Sequence, residues 1–143
     1  MKGKVLIPVL LLLFTGSLSV QAQSIKGIWK TIDDTDGREK SHIEIYEENG
    51  KYRGKVIKLL PGATATHCSA CKGNNKNKPI TGMIILWDLE PVGKSFDNGT
   101  ILDPKTGKLY DCKVSFQTPD KLDVRGYMGV SLLGRTQTWY RVK

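Results

Sequence analysis

Short runs in which apolar and polar residues alternate follow one another along most of the chain, and no stretch between them keeps a helical period. In the run 41–48, Ile43 and Ile45 oppose His42, Glu44 and Tyr46; in 108–117, Tyr110, Cys112, Val114 and Phe116 oppose Asp111, Lys113 and Ser115. A period of two gives each strand one dry and one wet face, the habit of an antiparallel meander. Turn formers punctuate the runs at Asp36-Gly37, Asn49-Gly50, Asn98-Gly99, Asp103-Pro104-Lys105-Thr106-Gly107 and Thr118-Pro119-Asp120. Asn49-Gly50 is the strongest hairpin signal, because both positions tolerate positive φ. The pattern predicts an all-β fold with strands at about 27–33, 41–48, 51–60, 81–89, 99–102, 108–117, 121–128 and 134–142. Eight strands, or seven to nine if the weaker boundaries move, would expose two edges as a flat sheet; closing them into a single barrel removes both. Such a barrel is just wide enough to be filled by its own side chains or to hold one small ligand.

The first 22 residues stand outside this pattern. Lys2 and Lys4 precede an apolar run from Val5 to Phe14, and Val20-Gln21-Ala22 resembles a cleavage site, so residues 1–22 read as a signal peptide and 23–143 as one barrel domain. The apolar run falls short of the ~20 residues that span a bilayer, and no later segment is longer, so the protein is expected not to span a membrane. Export of Gram-negative type predicts a periplasmic or secreted protein. Removing Lys2 and Lys4 takes the formal charge from +8 to +6. The densest basic stretch, Lys72 to Lys78, is rich in Gly and Asn and reads as a solvated loop. No aromatic residues are interleaved with its lysines, and export removes most nucleic-acid partners, so nucleic-acid binding is not expected.

Gly27-Ile28-Trp29 at the start of the first strand, with Trp139-Tyr140-Arg141 closing the last, resembles the end closure of lipocalin-like barrels. There a glycine lets the chain turn inward, an indole plugs one end and an arginine lies over its face; Trp29 and Arg141 fit those places, with Arg135 as an alternative arginine. Further segments carry a resemblance over nearly the whole mature chain: Asp33-Asp34 with Gly37, Ser41 to Tyr46, Cys68-Ser69-Ala70-Cys71-Lys72-Gly73 with Pro79 and Gly82-Met83, Gly99 to Pro104, Gly107 to Tyr110, Val124 to Tyr127, and Leu133 to Trp139. Together they are similar to a family of small exported bacterial proteins, domain of unknown function 2147. The resemblance implies a lipocalin-like (calycin) barrel and a ligand-carrying role outside the cytoplasm. It supplies no catalytic residue.

The cysteines raise the question of chemistry. An oxidising compartment makes a disulfide the default. A bridge from Cys68 to Cys71 closes a short loop and stabilises by only about 2 kcal/mol, whereas either cysteine joined to Cys112 would give about 4. Against the longer bridge, Cys112 lies on the apolar face of its strand, where a free thiol behaves as a small hydrophobe. The local bridge is preferred and Cys112 stays open as an alternative partner; without Cys112, the loop is free to act as a lid. Redox activity is disfavoured because Lys72-Gly73-Asn74-Asn75 will not start the helix that activates a C-x-x-C thiol. A zinc site from His67, Cys68, Cys71 and Cys112 would need adjacent residues to converge on one metal. Asp33, Asp34 and Asp36 lack the closing glutamate of a calcium loop and read as a solvated turn. His42 has no nucleophile near it in sequence. No catalytic residue, metal or cofactor is therefore expected.

Arg125 and Tyr127 share one face of their strand, and Arg135, Gln137, Trp139 and Arg141 one face of the last. If those faces point inward, Arg125, Tyr127 and Arg135, with Trp87 as an apolar wall, would converge on a cavity suited to a carboxylate-bearing molecule. The expected function is non-enzymatic: an exported barrel holding a small, partly apolar, anionic ligand. The alternatives are a solid barrel whose basic loop meets an acidic envelope protein, and, behind it, a C-x-x-C redox or metal protein.

Overall fold

The computed structural model describes residues 2–4, 16–17, 23–130 and 132–143; the expected signal peptide therefore lies almost wholly outside the described residues. Eight antiparallel strands run in chain order around a closed barrel: β1 (Gly27–Ile32), β2 (Glu39–Glu48), β3 (Lys51–Leu59), β4 (Ile84–Val92), β5 (Ser95–Leu102), β6 (Leu109–Thr118), β7 (Lys121–Tyr127) and β8 (Gly134–Arg141). Trp29 opposite Arg141 and Thr31 opposite Trp139 pair β1 with β8 and close the sheet. Among the described residues no helix is long and apolar enough to cross a membrane.

The Asn49-Gly50 hairpin forms as expected, with positive φ at both residues. The β4–β5 boundary differs from the sequence reading. The chain turns at Gly93-Lys94, so β5 begins at Ser95, while Asn98 adopts φ 60° inside the strand at a register shift between Phe96 and Gly99. Asn-Gly reports only tolerance of left-handed backbone, and a bulge uses that tolerance as readily as a turn does. β4 starts at Ile84, three residues later than expected, and a single 3-10 turn spans Gly73–Asn75, where composition predicts none.

Alternation decides which faces are inside. Ile43 and Ile45, Val56, Leu86 and Leu89, Phe96, Cys112 and Val114, Leu122 and Val124, and both Trp29 and Trp139 are buried in one cluster that fills the barrel. Phe96 packs edge-on against Tyr52 and Phe116, and Phe116 against Trp29. The buried hydroxyls of Thr31 and Ser41 bond one another at 2.8 Å, so neither leaves an orphaned polar group.

Antiparallel order puts the connections 33–38, 60–83, 103–108 and 128–133 at one end, the mouth, and the tight hairpins with both chain ends at the other. The longest connection, 60–83, adds Cys68, Cys71, Ile80 and Met83 to the buried cluster. The expectation of a free lid is therefore corrected: the loop is packed down. Cys71 and Cys68 are both buried, the Cys68 sulfur lies 3.2 Å from the Pro104 carbonyl oxygen, and Gly107 stands so close to Ala70 that a side chain there would overlap its carbonyl.

Candidate functional site

The closed end is a plug built from both chain ends. Gly27, at φ 138°, leaves room for the Arg141 guanidinium, which lies 4.2 Å over the Trp29 ring. Arg141 also donates to the carbonyls of Ser24, Lys26 and Pro119, and the Trp29 indole N–H donates to the Ile25 carbonyl at 2.9 Å. Arg141 also pairs with Asp120 at 3.4 Å, so the plug's donors are engaged within the chain, an arrangement that seals rather than binds.

The mouth is polar. Because Trp139 is buried opposite Leu122, alternation puts Arg135 and Gln137 on the inner face of β8 as well. Trp139 donates to the Gln137 side-chain oxygen at 3.3 Å, Gln137 donates to Asp34 at 3.4 Å, and Arg135 grips both oxygens of Asp34 at 2.5 and 3.0 Å. Asp34 reaches in from the 33–38 turn, where Asp33 and Asp36 accept the backbone N–H groups of Thr35 and Arg38. Partial burial alone pushes the Asp34 carboxyl up, but the bonds donated by Arg135 and Gln137 outweigh it and hold the group below the usual carboxylate range. The same bond raises Arg135. Asp33 is also lowered, first by the Thr35 hydroxyl and N–H. The Arg135 fork is thus occupied by a carboxylate of its own chain, which the sequence reading of Asp34 as a solvated turn missed.

Arg125 and Tyr127 do not join it. Leu122 and Val124 of β7 are buried, so Arg125 and Tyr127 face outward. Arg125 donates to Thr136 at 3.0 Å and, with Lys113, Asp123 and Ser95, borders a shallow cleft of about 340 Å³ on the wall. The Tyr127 hydroxyl donates to Asp97 at 3.2 Å beneath Lys113; partial burial and the Asp97 charge raise its pKa. The two tyrosine-side and mouth arginines therefore lie on opposite faces of the barrel wall, and no common cavity gathers them.

Trp87 lies elsewhere again. Leu86 takes the inner face opposite Gly54, and Trp87 turns outward. There the outer wall of β3 and β4 and the long connection enclose a cleft of about 610 Å³. Trp87, Met83 and Ile84 supply one apolar wall, Pro79 a second, and Arg53 and Lys78 bring positive charge. Arg53 is shared with Glu48 at 2.9 Å, whereas Lys78 has no ion pair among the described residues. Of these residues the sequence reading placed only Trp87 at a ligand site, and Lys78 in a solvated basic loop; Arg53 and Ile84 carry no local signal, because only the folded-back loop makes their strand face concave.

Cys68 and Cys71 form the disulfide and Cys112 is free and buried, as preferred from the sequence. With the two sulfurs joined and the His67 ring bonded to the Thr66 hydroxyl, the tetrad His67, Cys68, Cys71 and Cys112 is not assembled. Among the described residues no group of three or more metal-ligating side chains converges. Burial, then the charge of Asp97, pushes the Cys112 thiol up to about 12. Native protein at pH 8 is accordingly expected to leave Cys112 unmodified by a soluble disulfide reagent, with one thiol appearing on unfolding in denaturant; rapid native labelling would contradict the burial.

A closed eight-stranded barrel with an aromatic plug under a C-terminal arginine, a filled core and one short-range disulfide is the frame on which these clefts sit. The sequence profile of uncharacterized proteins conserved in bacteria (DUF2147) matches residues 27–141, from the plug glycine to the plug arginine. The chain belongs to the DUF2147 family. The DUF2147 barrel is lipocalin-like: it superposes on the solved structure of protein HP1028 from the human pathogen Helicobacter pylori, described as belonging to the lipocalin family, with a TM-score of 0.74, 25% identity and 84% of each chain covered. No curated protein matches this DUF2147 chain in sequence.

Proposed function

We propose that the protein is an exported, non-enzymatic binder of a small, partly apolar anion, held in the outer cleft between β3–β4 and the long connection. The observation that carries this reading is the pairing, in one concavity of about 610 Å³, of the Trp87–Met83–Ile84 wall with Arg53 and with Lys78, which has no ion pair among the described residues. A cleft of this size lies in the range of small-molecule sites, whose apolar lining gives affinity and whose few charges fix orientation. The filled barrel argues for the wall rather than the interior. Anilinonaphthalene sulfonate, itself an apolar ring system with one negative charge, is a suitable probe. Saturable binding is expected, with Trp87→Ala and Lys78→Glu each weakening it by roughly tenfold, about 1.4 kcal/mol apiece. Unsaturable binding, or binding indifferent to both substitutions, would end this reading.

A second reading, an acidic envelope protein docked on the basic loop, has in its favour that Lys72 and Lys76 are exposed and carry no ion pair among the described residues. Neither lysine lines the cleft. Reversing both leaves the probe's affinity unchanged if the cleft is the site, and releases a co-purified partner if the loop is. Export itself is tested by intact mass: protein from the envelope fraction should begin at Gln23, and an uncleaved chain in the cytosol would refute it.

A further inference from the structure

The connection between β7 and β8 holds apolar side chains in water. Met128, Val130, Leu132 and Leu133 are all exposed, Leu132 to 88% and Leu133 to 67%. Leu109 is exposed as well, and the register that pairs Asp111 with Tyr127 brings the start of β6 beside this connection. Of six large apolar side chains exposed among the described residues, five therefore gather at one point of the mouth; the sixth, Val92, stands at the opposite end. The loop is not a loose tail: the Met128 N–H donates to the Leu133 carbonyl and the Leu133 N–H to the Val130 carbonyl, both at 3.1 Å. Leucines held in water beside these hydrogen bonds mark a surface that is covered in use.

Charge indicates what covers it. Of the acids at the mouth, Asp34 is paired with Arg135 and Asp36 with Lys40, while Asp33 and Asp103 accept N–H groups within their own turns. Lys105 and Lys108, on the adjacent 103–108 connection, and Lys72 and Lys76, on the long connection that packs against it at Ala70, are exposed and have no ion pair among the described residues. An apolar tip flanked on the β5–β6 side by lysines without ion pairs matches the two components of interfacial anchoring on an anionic bilayer, apolar insertion and headgroup attraction. The tip is narrow, one turn and a strand end.

We infer that the β7–β8 connection, with Leu109, docks the mouth of the barrel on an anionic lipid surface: Leu132 and Leu133 enter the headgroup region while Lys72, Lys76, Lys105 and Lys108 meet phosphates. The inference is independent of the cleft, which lies on the barrel wall. The test is co-sedimentation of the mature protein with vesicles of phosphatidylglycerol mixed with phosphatidylcholine, against phosphatidylcholine alone. Binding is expected only with the anionic vesicles and should weaken as salt rises. The double variant Leu132→Asp/Leu133→Asp should bind at least roughly tenfold less. Lys105→Glu/Lys108→Glu should lose roughly fivefold per lysine. All four positions are exposed, so both variants should keep the wild-type circular dichroism. No binding to anionic vesicles, equal binding to both compositions, or binding untouched by the leucine variant would overturn the inference, as would a cross-linked protein partner that depends on the same leucines. Any of these results would leave the probe experiment on the cleft unaffected.

Discussion

Trp29→Ala is expected to lower stability by about 3–5 kcal/mol, measured as a drop in the urea midpoint with an unchanged slope. The indole is fully buried, packs on Phe116, bonds the Ile25 carbonyl and lies under Arg141, so its removal leaves a cavity at the point where β1 and β8 close the barrel. That is at least about a fifth of the 5–15 kcal/mol typical of a whole domain. Arg141→Ala should cost less, about 1–2 kcal/mol, since its guanidinium is partly solvated and its other partners, backbone carbonyls and the half-exposed Asp120 carboxylate, are ones that water can reach. If the stack is a real coupling, Arg141→Ala costs less in the Trp29→Ala background than in wild type; additive losses would show that the two act separately. Trp29→Phe, which keeps an aromatic plug without the N–H, provides a milder variant if the alanine protein does not fold.

How much of this was legible depended on whether the signal was local. The two faces of β2 and β6 could be read from alternation because Ile43, Ile45, Cys112 and Val114 are unambiguous apolar markers. The plug was legible by another route, the resemblance of Gly27-Ile28-Trp29 and Arg141 to the end closure of lipocalin-like barrels. Alternation also grouped Arg135 with Gln137 and Trp139, and Arg125 with Tyr127, but it assigns partners to a face without naming the inner one. Leu122 and Val124 settle it for β7, and Trp139 for β8, with opposite results for the two arginines. The Asp34–Arg135 bridge joins residues 101 apart, and the cleft joins β3, β4 and a loop whose course depends on contacts with the 103–108 turn. No periodicity along one strand encodes such contacts. Asn98-Gly99 misled because a bulge and a turn ask the same thing of the backbone.

The contact with the 103–108 turn gives the second large prediction. Residues 33–38 and 103–108 are one turn built twice. Asp33 and Asp103 each accept the N–H of the glycine four residues on, each receives a side-chain bond from the N–H two residues on, and each donates its own N–H to the residue five on. Gly37 and Gly107 take the same left-handed backbone, φ 69° and 71°. They differ in their surroundings: a Cβ on Gly37 would meet nothing within 4 Å, whereas one on Gly107 would stand 2.1 Å from the Ala70 carbonyl oxygen and 2.9 Å from the Cys71 nitrogen. Gly37→Ala therefore measures left-handed strain alone, about 1–2 kcal/mol. Gly107→Ala carries the same strain and must also lift the disulfide loop from the turn, so its total cost should reach about 3 kcal/mol or more. Lifting the loop opens it to water and loosens its internal bonds from the Cys68 and Ile80 N–H groups to Lys78 and Thr66, so their hydrogen-exchange protection should fall in Gly107→Ala but not in Gly37→Ala. Because the same connection carries Asn75, Lys78 and Pro79 to the cleft, Gly107→Ala should also weaken the sulfonate probe although residue 107 does not line that wall. Equal costs for the two alanines would show that the loop yields without resistance, and the cleft would then be a soft surface rather than a formed site.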